Sequence, residues 1–137
     1  RGYDSAGIAV NNGSETKIVK TTGKVATLRE KVEATADLAG TCGIGHTRWA
    51  THGGVTEVNA HPHVSGNVTL IHNGIIENYK ELAASLKTKG FTAISETDTE
   101  VAAMLIDSLY DGDPFAALKE ADKAFKGKFR QTFRLFL

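Results

Sequence analysis

The sequence predicts an α+β domain, with strands gathered in the first two thirds and helices interleaved among them. Two observations carry this. SAGIAV (5–10), TKIVK (16–20) and NVTLIHNG (67–74) read as short strands bounded by turn residues. VATLREKVEATADL (25–38) and ENYKELAASLKTKG (77–90) repeat apolar side chains at helical spacing. The 137 residues suffice for about one domain with a core, and no repeat or linker interrupts them.

The elements follow in order. Asn11-Asn12-Gly13 tolerates positive φ and turns the chain between the first two strands. Thr22-Gly23 breaks the second strand. The helix over 25–38 carries Val25, Leu28 and Val32 on one face, with Gly40 as its C-terminal cap. CGIGHTRWA (42–50) reads as a strand in which Cys42 is a small buried residue of a central position. THGGVTEVNAHPHVSGN (51–67) holds no period and reads as a long loop, a kind that usually carries function. The strand over 67–74 ends at Asn73-Gly74. The helix over 77–90 stops at Gly90, and FTAIS (91–95) reads as a short strand. Thr97 and Glu100 suit a capping box for a helix from Asp98 to Tyr110. Asp113 and Pro114 open a last helix that ends at Gly127.

Composition narrows the function classes. Sixteen basic residues balance sixteen acidic ones, which argues against a bulk affinity for nucleic acid or anionic lipid. A single cysteine excludes an internal disulfide and a Cys-rich zinc site, and fits a reducing cytoplasm. No apolar run approaches the length of a membrane-spanning helix. The chain opens on Arg1 and runs directly into an apolar stretch, so a truncated beginning is expected.

Several residues carry chemistry. A catalytic Cys42 needs a base. His46, four positions on, lies about 13 Å away at strand rise, too far for a hydrogen bond. The histidines at 46, 52, 61, 63 and 72 lack a metal-ligand spacing, and hydrogen-bonded structural roles suit them better. Arg48, beside Trp49 and before Thr51-His52, suits bidentate capture of a carboxylate; pairing to a structural acid suits it equally. Asn73 and Gly74 at a strand end are either an oxyanion hole or a plain Asn-Gly turn. Asp98 is either a solvated residue favoured by the helix dipole or an anchor for a ligand ammonium.

Five blocks, RGYDSAGIAV, GIGHTRWATHG, VNAHPH, HNGIIENY and SETDTE, occur in this order. Together they resemble the glutaminase domain of the glutamine–fructose-6-phosphate aminotransferases, class II glutamine amidotransferases of the N-terminal nucleophile type. The resemblance covers roughly residues 1–125. It implies part of a four-layer αββα sandwich with mainly antiparallel sheets, a partial glutaminase domain over 1–127, and neither cofactor nor metal. In that family the nucleophile is an N-terminal cysteine whose own α-amino group, titrating at about 8, is the base. Cys42-Gly43-Ile44 imitates that opening triplet, but its nitrogen is an amide. Cys42 is therefore expected to be a decoy, with the nucleophile upstream of Arg1.

The resemblance further implies that Arg48 grips the α-carboxylate of L-glutamine, with Thr51 and His52 closing that corner. Asp98 would hold the α-ammonium group. The Asn73 side chain and the Gly74 N–H would form the oxyanion hole. Trp49 would guard the ammonia exit, His61 would support the site, and Arg1 and Gly2 would pack against the nucleophile. Ammonia would pass to a sugar-isomerase domain of the same full-length chain, a cytoplasmic homo-oligomer. KFRQTFRLFL (128–137) departs from the family, placing Arg130 and Arg134 where an apolar strand is expected. A frameshifted or chimeric tail is the expectation there. On this reading the fragment alone is inactive; a non-catalytic glutamine- or glutamate-binding module, or a gene relic, is the alternative.

Overall fold

The computed structural model describes residues 3–127 and 132–136. The chain divides into two compact units, residues 1–62 and 63–137.

In the first unit, β1 (Ser5–Asn11) lies between β2 (Thr16–Thr22) and β3 (Cys42–Arg48), and both pairings are antiparallel. The β1–β2 turn is built by side chains. Asn11 Oδ1 accepts the Gly13 N–H at 2.7 Å, and Asn12 Oδ1 accepts those of Ser14 and Glu15 at 3.0 and 2.9 Å. Gly13 sits at φ +97°, which an L side chain rarely adopts. One face of the sheet packs Ala6 and Val19 against Leu28 of α1 (Val25–Glu33).

Helix α1 is shorter than the sequence periodicity suggests. Only Leu28 is buried along it, and Asp37 adopts φ +55°, outside helical geometry. Gly40 is not its cap. A Cβ there would lie 2.5 Å from the Asn11 carbonyl oxygen, so glycine lets this segment close on β1. Cys42 also departs from expectation. It is exposed, on β3 at the edge of its sheet among the described residues.

In the second unit, β5 (Val68–Asn73) lies between β4 (His63–Ser65) and β6 (Thr132–Phe136), again antiparallel. Strand β4 falls inside the stretch expected to be loop; three residues are too few to show a period. Its hairpin turns at Gly66, φ +50°, where a Cβ would lie 2.4 Å from the Asp107 carboxylate. That carboxylate also accepts the Ser65 hydroxyl at 3.0 Å. Strand β6 pairs with β5 from Thr69↔Phe136 to Asn73↔Thr132, within the stretch expected to be a divergent tail.

Three helices complete this unit: α2 (Tyr79–Thr88), α3 (Asp98–Leu109) and α4 (Pro114–Ala124). Every residue of α3 from Asp98 to Ile106 is buried, and it packs against β4, β5, α2 and α4. Leu70, Ile76, Leu86 and Ile106 form the centre of the core, each contributing about 1.5–3 kcal/mol by leaving water.

Three helix ends in this unit follow their sequence signals, whereas α4 stops at Ala124, short of the expected Gly127. Gly90 at φ +90° ends α2: its N–H donates to Lys87 O and that of Phe91 to Leu86 O, both at 3.1 Å. Asp113 Oδ1 caps α4, accepting from Phe115 and Ala116 N–H at 2.9 and 3.1 Å. Thr97 caps α3 by accepting the Glu100 N–H at 3.2 Å. Glu100 does not complete the capping box. Its carboxylate accepts the N–H groups of Ile94 and Ser95 instead, at 3.0 and 2.6 Å. These contacts take two of the backbone donors that a strand over 91–95 would use, and no strand forms there; Ile94 is 84% exposed.

Candidate functional site

The sequence-predicted residues fall into two groups, one on each unit. Arg48, Trp49, Thr51, His52 and His61 belong to the first, and Asn73, Gly74 and Asp98 to the second. Arg1 and Gly2 lie outside the described residues.

Arg48 ends β3 and is buried, and its guanidinium is held from several sides. Nη1 donates to the Gly54 carbonyl at 3.2 Å and lies 3.6 Å from Asp4 Oδ1. Nη2 donates to the His52 carbonyl and reaches that of Gly53 at 3.5 Å. The side chain thus staples the turn over residues 51–54 from beneath. Of the two sequence alternatives, the structure places the acid of the structural one, Asp4, beside the guanidinium.

Asp4 fixes the start of that turn. Its Oδ2 accepts the Ala50 N–H, its own N–H donates to the Arg48 carbonyl at 2.9 Å, and Oδ1 accepts the Ser5 hydroxyl at 3.0 Å. Asn59 fixes the far side. It is buried, and its Nδ2 donates to the Gly54 carbonyl at 3.0 Å, the same oxygen that Arg48 uses. Neither Asp4 nor Asn59 was singled out by the sequence reading. The available signal was a polar residue inside a recognised block, Asp4 in RGYDSAG and Asn59 between Val58 and Ala60 in VNAHPH.

The turn presents Trp49, 64% exposed, and the exposed Thr51, whose hydroxyl lies 3.4 Å from His52 Nδ1. His61 is buried, its ring 4.2 Å from that of His46. Its carbonyl oxygen packs on β1 at Gly7, where a Cβ would come within 2.1 Å. Cys42 stands at the opposite end of β3 from Arg48. The two pair with opposite ends of β1, Asn11 and Ser5, so they lie about 20 Å apart at strand rise.

In the second unit, Asn73 and Gly74 are exposed where β5 ends. Gly74 takes φ +153°, a conformation that a side chain disfavours. Asp98 is buried rather than solvated, so the helix-dipole account alone does not explain it. Its Oδ2 accepts the Ile76 N–H at 2.9 Å, tying the first turn of α3 to the segment just after Gly74. The strand-end pair and the acid are thereby linked through Gly74, Ile75 and Ile76. His63 and His72 are buried beside this helix start, facing the hydroxyls of Thr97 and Thr99 at 3.1 and 3.4 Å. Among the described residues no three His, Cys, Asp or Glu side chains gather as a metal site would require.

A family model for the glutamine amidotransferase domain matches residues 46–133. The chain belongs to this family. The match runs from His46 through Arg48, the Asn73-Gly74 corner and Asp98 into β6. Over 131 residues the chain is 54% identical to the glutamine–fructose-6-phosphate aminotransferase (isomerizing) of Thermus thermophilus, covering 94% of this chain and 22% of the relative. It is 47% identical to the enzyme of the same name from Corynebacterium glutamicum, with the same coverage. The chain therefore spans about a fifth of the length of these relatives. Among solved structures it resembles the glutamine phosphoribosylpyrophosphate amidotransferase of B. subtilis, with TM-score 0.78 and 26% identity over 98% of this chain and 29% of that one. The α+β amidotransferase fold of the N-terminal nucleophile type, which the sequence resemblance implied, is the fold of this chain. No helix among the described residues is long and apolar enough to cross a membrane.

Proposed function

We propose that this segment is the glutamine-binding, ammonia-releasing part of a glutamine–fructose-6-phosphate aminotransferase that makes glucosamine 6-phosphate. The observation that carries the reading is the identity of 54% to an enzyme of that name, across a segment that includes the Arg48 turn and the Gly74–Asp98 corner.

In this reading Arg48 supplies the positive charge that meets the α-carboxylate of L-glutamine. Because its Nη groups also hold the carbonyls of residues 52–54, the same side chain sets the turn whose Thr51 hydroxyl and His52 complete that corner. Asp98 receives the α-ammonium; it is already anchored through Ile76, so little reorganisation is needed on binding. A thiolate attacks the side-chain amide carbon, and the oxygen takes up the charge. The Asn73 amide and the Gly74 N–H stabilise that oxyanion. The amide nitrogen takes a proton and leaves as ammonia, and water then cleaves the thioester to give glutamate.

The thiolate is not that of Cys42. That residue is exposed and about 20 Å along β3 from Arg48, several times the length of a glutamine side chain. Trp49 lines the path by which ammonia leaves, and His61 steadies the loop. Ammonia is passed to an isomerase domain of the same full-length, oligomeric, cytoplasmic enzyme, where fructose 6-phosphate accepts it.

The test is to assay the full-length protein that carries this segment with L-glutamine and fructose 6-phosphate. Glutamate and glucosamine 6-phosphate in equal amounts support the reading. Binding of glutamate without any hydrolysis of glutamine would leave a binding module instead.

A further inference from the structure

The contacts beneath the Arg48 turn assign work to a residue that touches no expected substrate atom. The guanidinium has carbonyl oxygens on one side and the Asp4 carboxylate on another. One of those oxygens, that of Gly54, accepts two donors: Arg48 Nη1 at 3.2 Å and Asn59 Nδ2 at 3.0 Å. A carbonyl has two acceptor sites, so both hydrogen bonds are satisfied together. Gly54 is exposed and follows Gly53 at φ +76°, and neither glycine has a side chain to anchor the turn. Asn59 does the opposite. It is 2% exposed, its N–H donates to Thr56 Oγ1 at 3.2 Å, and it precedes the buried Ala60 and His61. The His61 carbonyl in turn packs against β1 at Gly7. The central strand β1 thus packs against the loop segment that carries Asn59, and Asn59 holds one of the oxygens that aim Arg48.

We infer that Asn59 is a positioning residue for Arg48: by fixing the Gly54 carbonyl it sets the direction of the guanidinium and so the affinity for the ligand's α-carboxylate. This rests on the reading of Arg48 given under the proposed function. Asn59→Asp is the informative change, because it keeps the side-chain shape, removes the Nδ2 donor and turns an oxygen toward the Gly54 carbonyl. With the donor lost, the turn drifts and Arg48 keeps its charge but loses its aim.

The experiment measures L-glutamate affinity by calorimetry in the full-length protein, for the parent, Arg48→Ala, Asn59→Asp and the double variant. L-glutamate is used because it carries the same α-carboxylate and is not consumed. The inference expects Asn59→Asp to weaken binding about tenfold, Arg48→Ala to weaken it at least as much, and the double variant to bind no worse than Arg48→Ala. Coupling of this kind marks two residues acting through one contact. Losses that multiply, or parent-like binding by Asn59→Asp, would overturn the inference while leaving the role of Arg48 intact. Parent-like binding by Arg48→Ala would overturn the reading of Arg48 and the inference with it. Should Asn59→Asp fail to fold, Asn59→Ser, which is smaller and brings no charge, is read in the same cycle with the same outcomes.

Discussion

The carboxylate of Asp98 accepts the backbone N–H of Ile76 at 2.9 Å. This bond joins the start of a buried helix to the segment that leaves β5 through Asn73 and Gly74, and it gives a buried acid a backbone donor. Two substitutions separate its structural role from the proposed binding role. Asp98→Asn keeps an oxygen for the Ile76 N–H but loses the charge, so L-glutamate affinity should fall about tenfold or more while the melting temperature changes little. Asp98→Ala should also cost about 1–3 kcal/mol in stability, by leaving the Ile76 donor unmet. Calorimetry with glutamate and a thermal melt of each variant check both statements.

Gly7→Ala should be poorly tolerated. The new Cβ would lie 2.1 Å from the His61 carbonyl oxygen and 3.1 Å from that of Val19, and both are backbone atoms that cannot rotate aside. Overpacking of this kind costs about 1–3 kcal/mol, and a contact this short belongs at or above the upper end. The midpoint of urea unfolding of the full-length protein should drop accordingly, whereas Gly43→Ala, which meets nothing closer than 3.4 Å, should leave it much nearer the parent.

Cys42→Ser should leave glutamine hydrolysis by the full-length protein within about twofold of the parent, since a change that touches neither substrate nor transition state leaves kcat/KM in place. The residue is exposed at the far end of β3 from Arg48. Loss of all thioester formation in this variant would make Cys42 the nucleophile after all.

Asp113→Ala removes a cap from α4, where one carboxylate oxygen serves two backbone donors. Stability should fall by about 1 kcal/mol, with turnover unchanged, because the site residues lie on other elements. Asp113→Asn, which retains the accepting oxygen, should recover most of the loss in the same melt.

Much of this fold is legible in the sequence because the informative residues act locally. Asp113-Pro114 and Gly90 specify helix ends through contacts only a few positions away, and both ends form as those residues dictate. Strand β5 shows in the sequence through Val68, Leu70 and Ile71 ahead of the Asn73-Gly74 stop, and it is buried along most of its length. The misreadings arise where a distant partner decides. FTAIS has the composition of a strand, but Glu100 takes the backbone donors of Ile94 and Ser95. Gly40 has the position of a helix cap, but close approach to Asn11 is what requires it. Cys42 looks like a core residue, yet its strand is at a sheet edge among the described residues.

The candidate site divides in the same way. Its candidate residues stand in recognisable blocks, so Arg48, Asn73, Gly74 and Asp98 are singled out by the sequence as candidates. Their supports were not. Asp4 reaches the Arg48 turn from 44 positions away in sequence, and Ile76 contributes only a backbone N–H, which no side-chain pattern reveals. Burial of Asp98 likewise depends on the packing of α3 as a whole, not on its acidic neighbours.

The central claim is that Arg48 and Asp98 recognise the two charged ends of one amino acid. The most direct measurement is kcat/KM for L-glutamine hydrolysis by the full-length protein, in the parent, Arg48→Ala and Asp98→Asn. Removing one partner of a desolvated charge pair costs about 2–5 kcal/mol, so each variant should lose roughly thirtyfold or more while keeping a cooperative melt. Turnover of glutamine within about twofold of the parent in either variant would contradict the account, because that residue would then be structural and not part of substrate recognition.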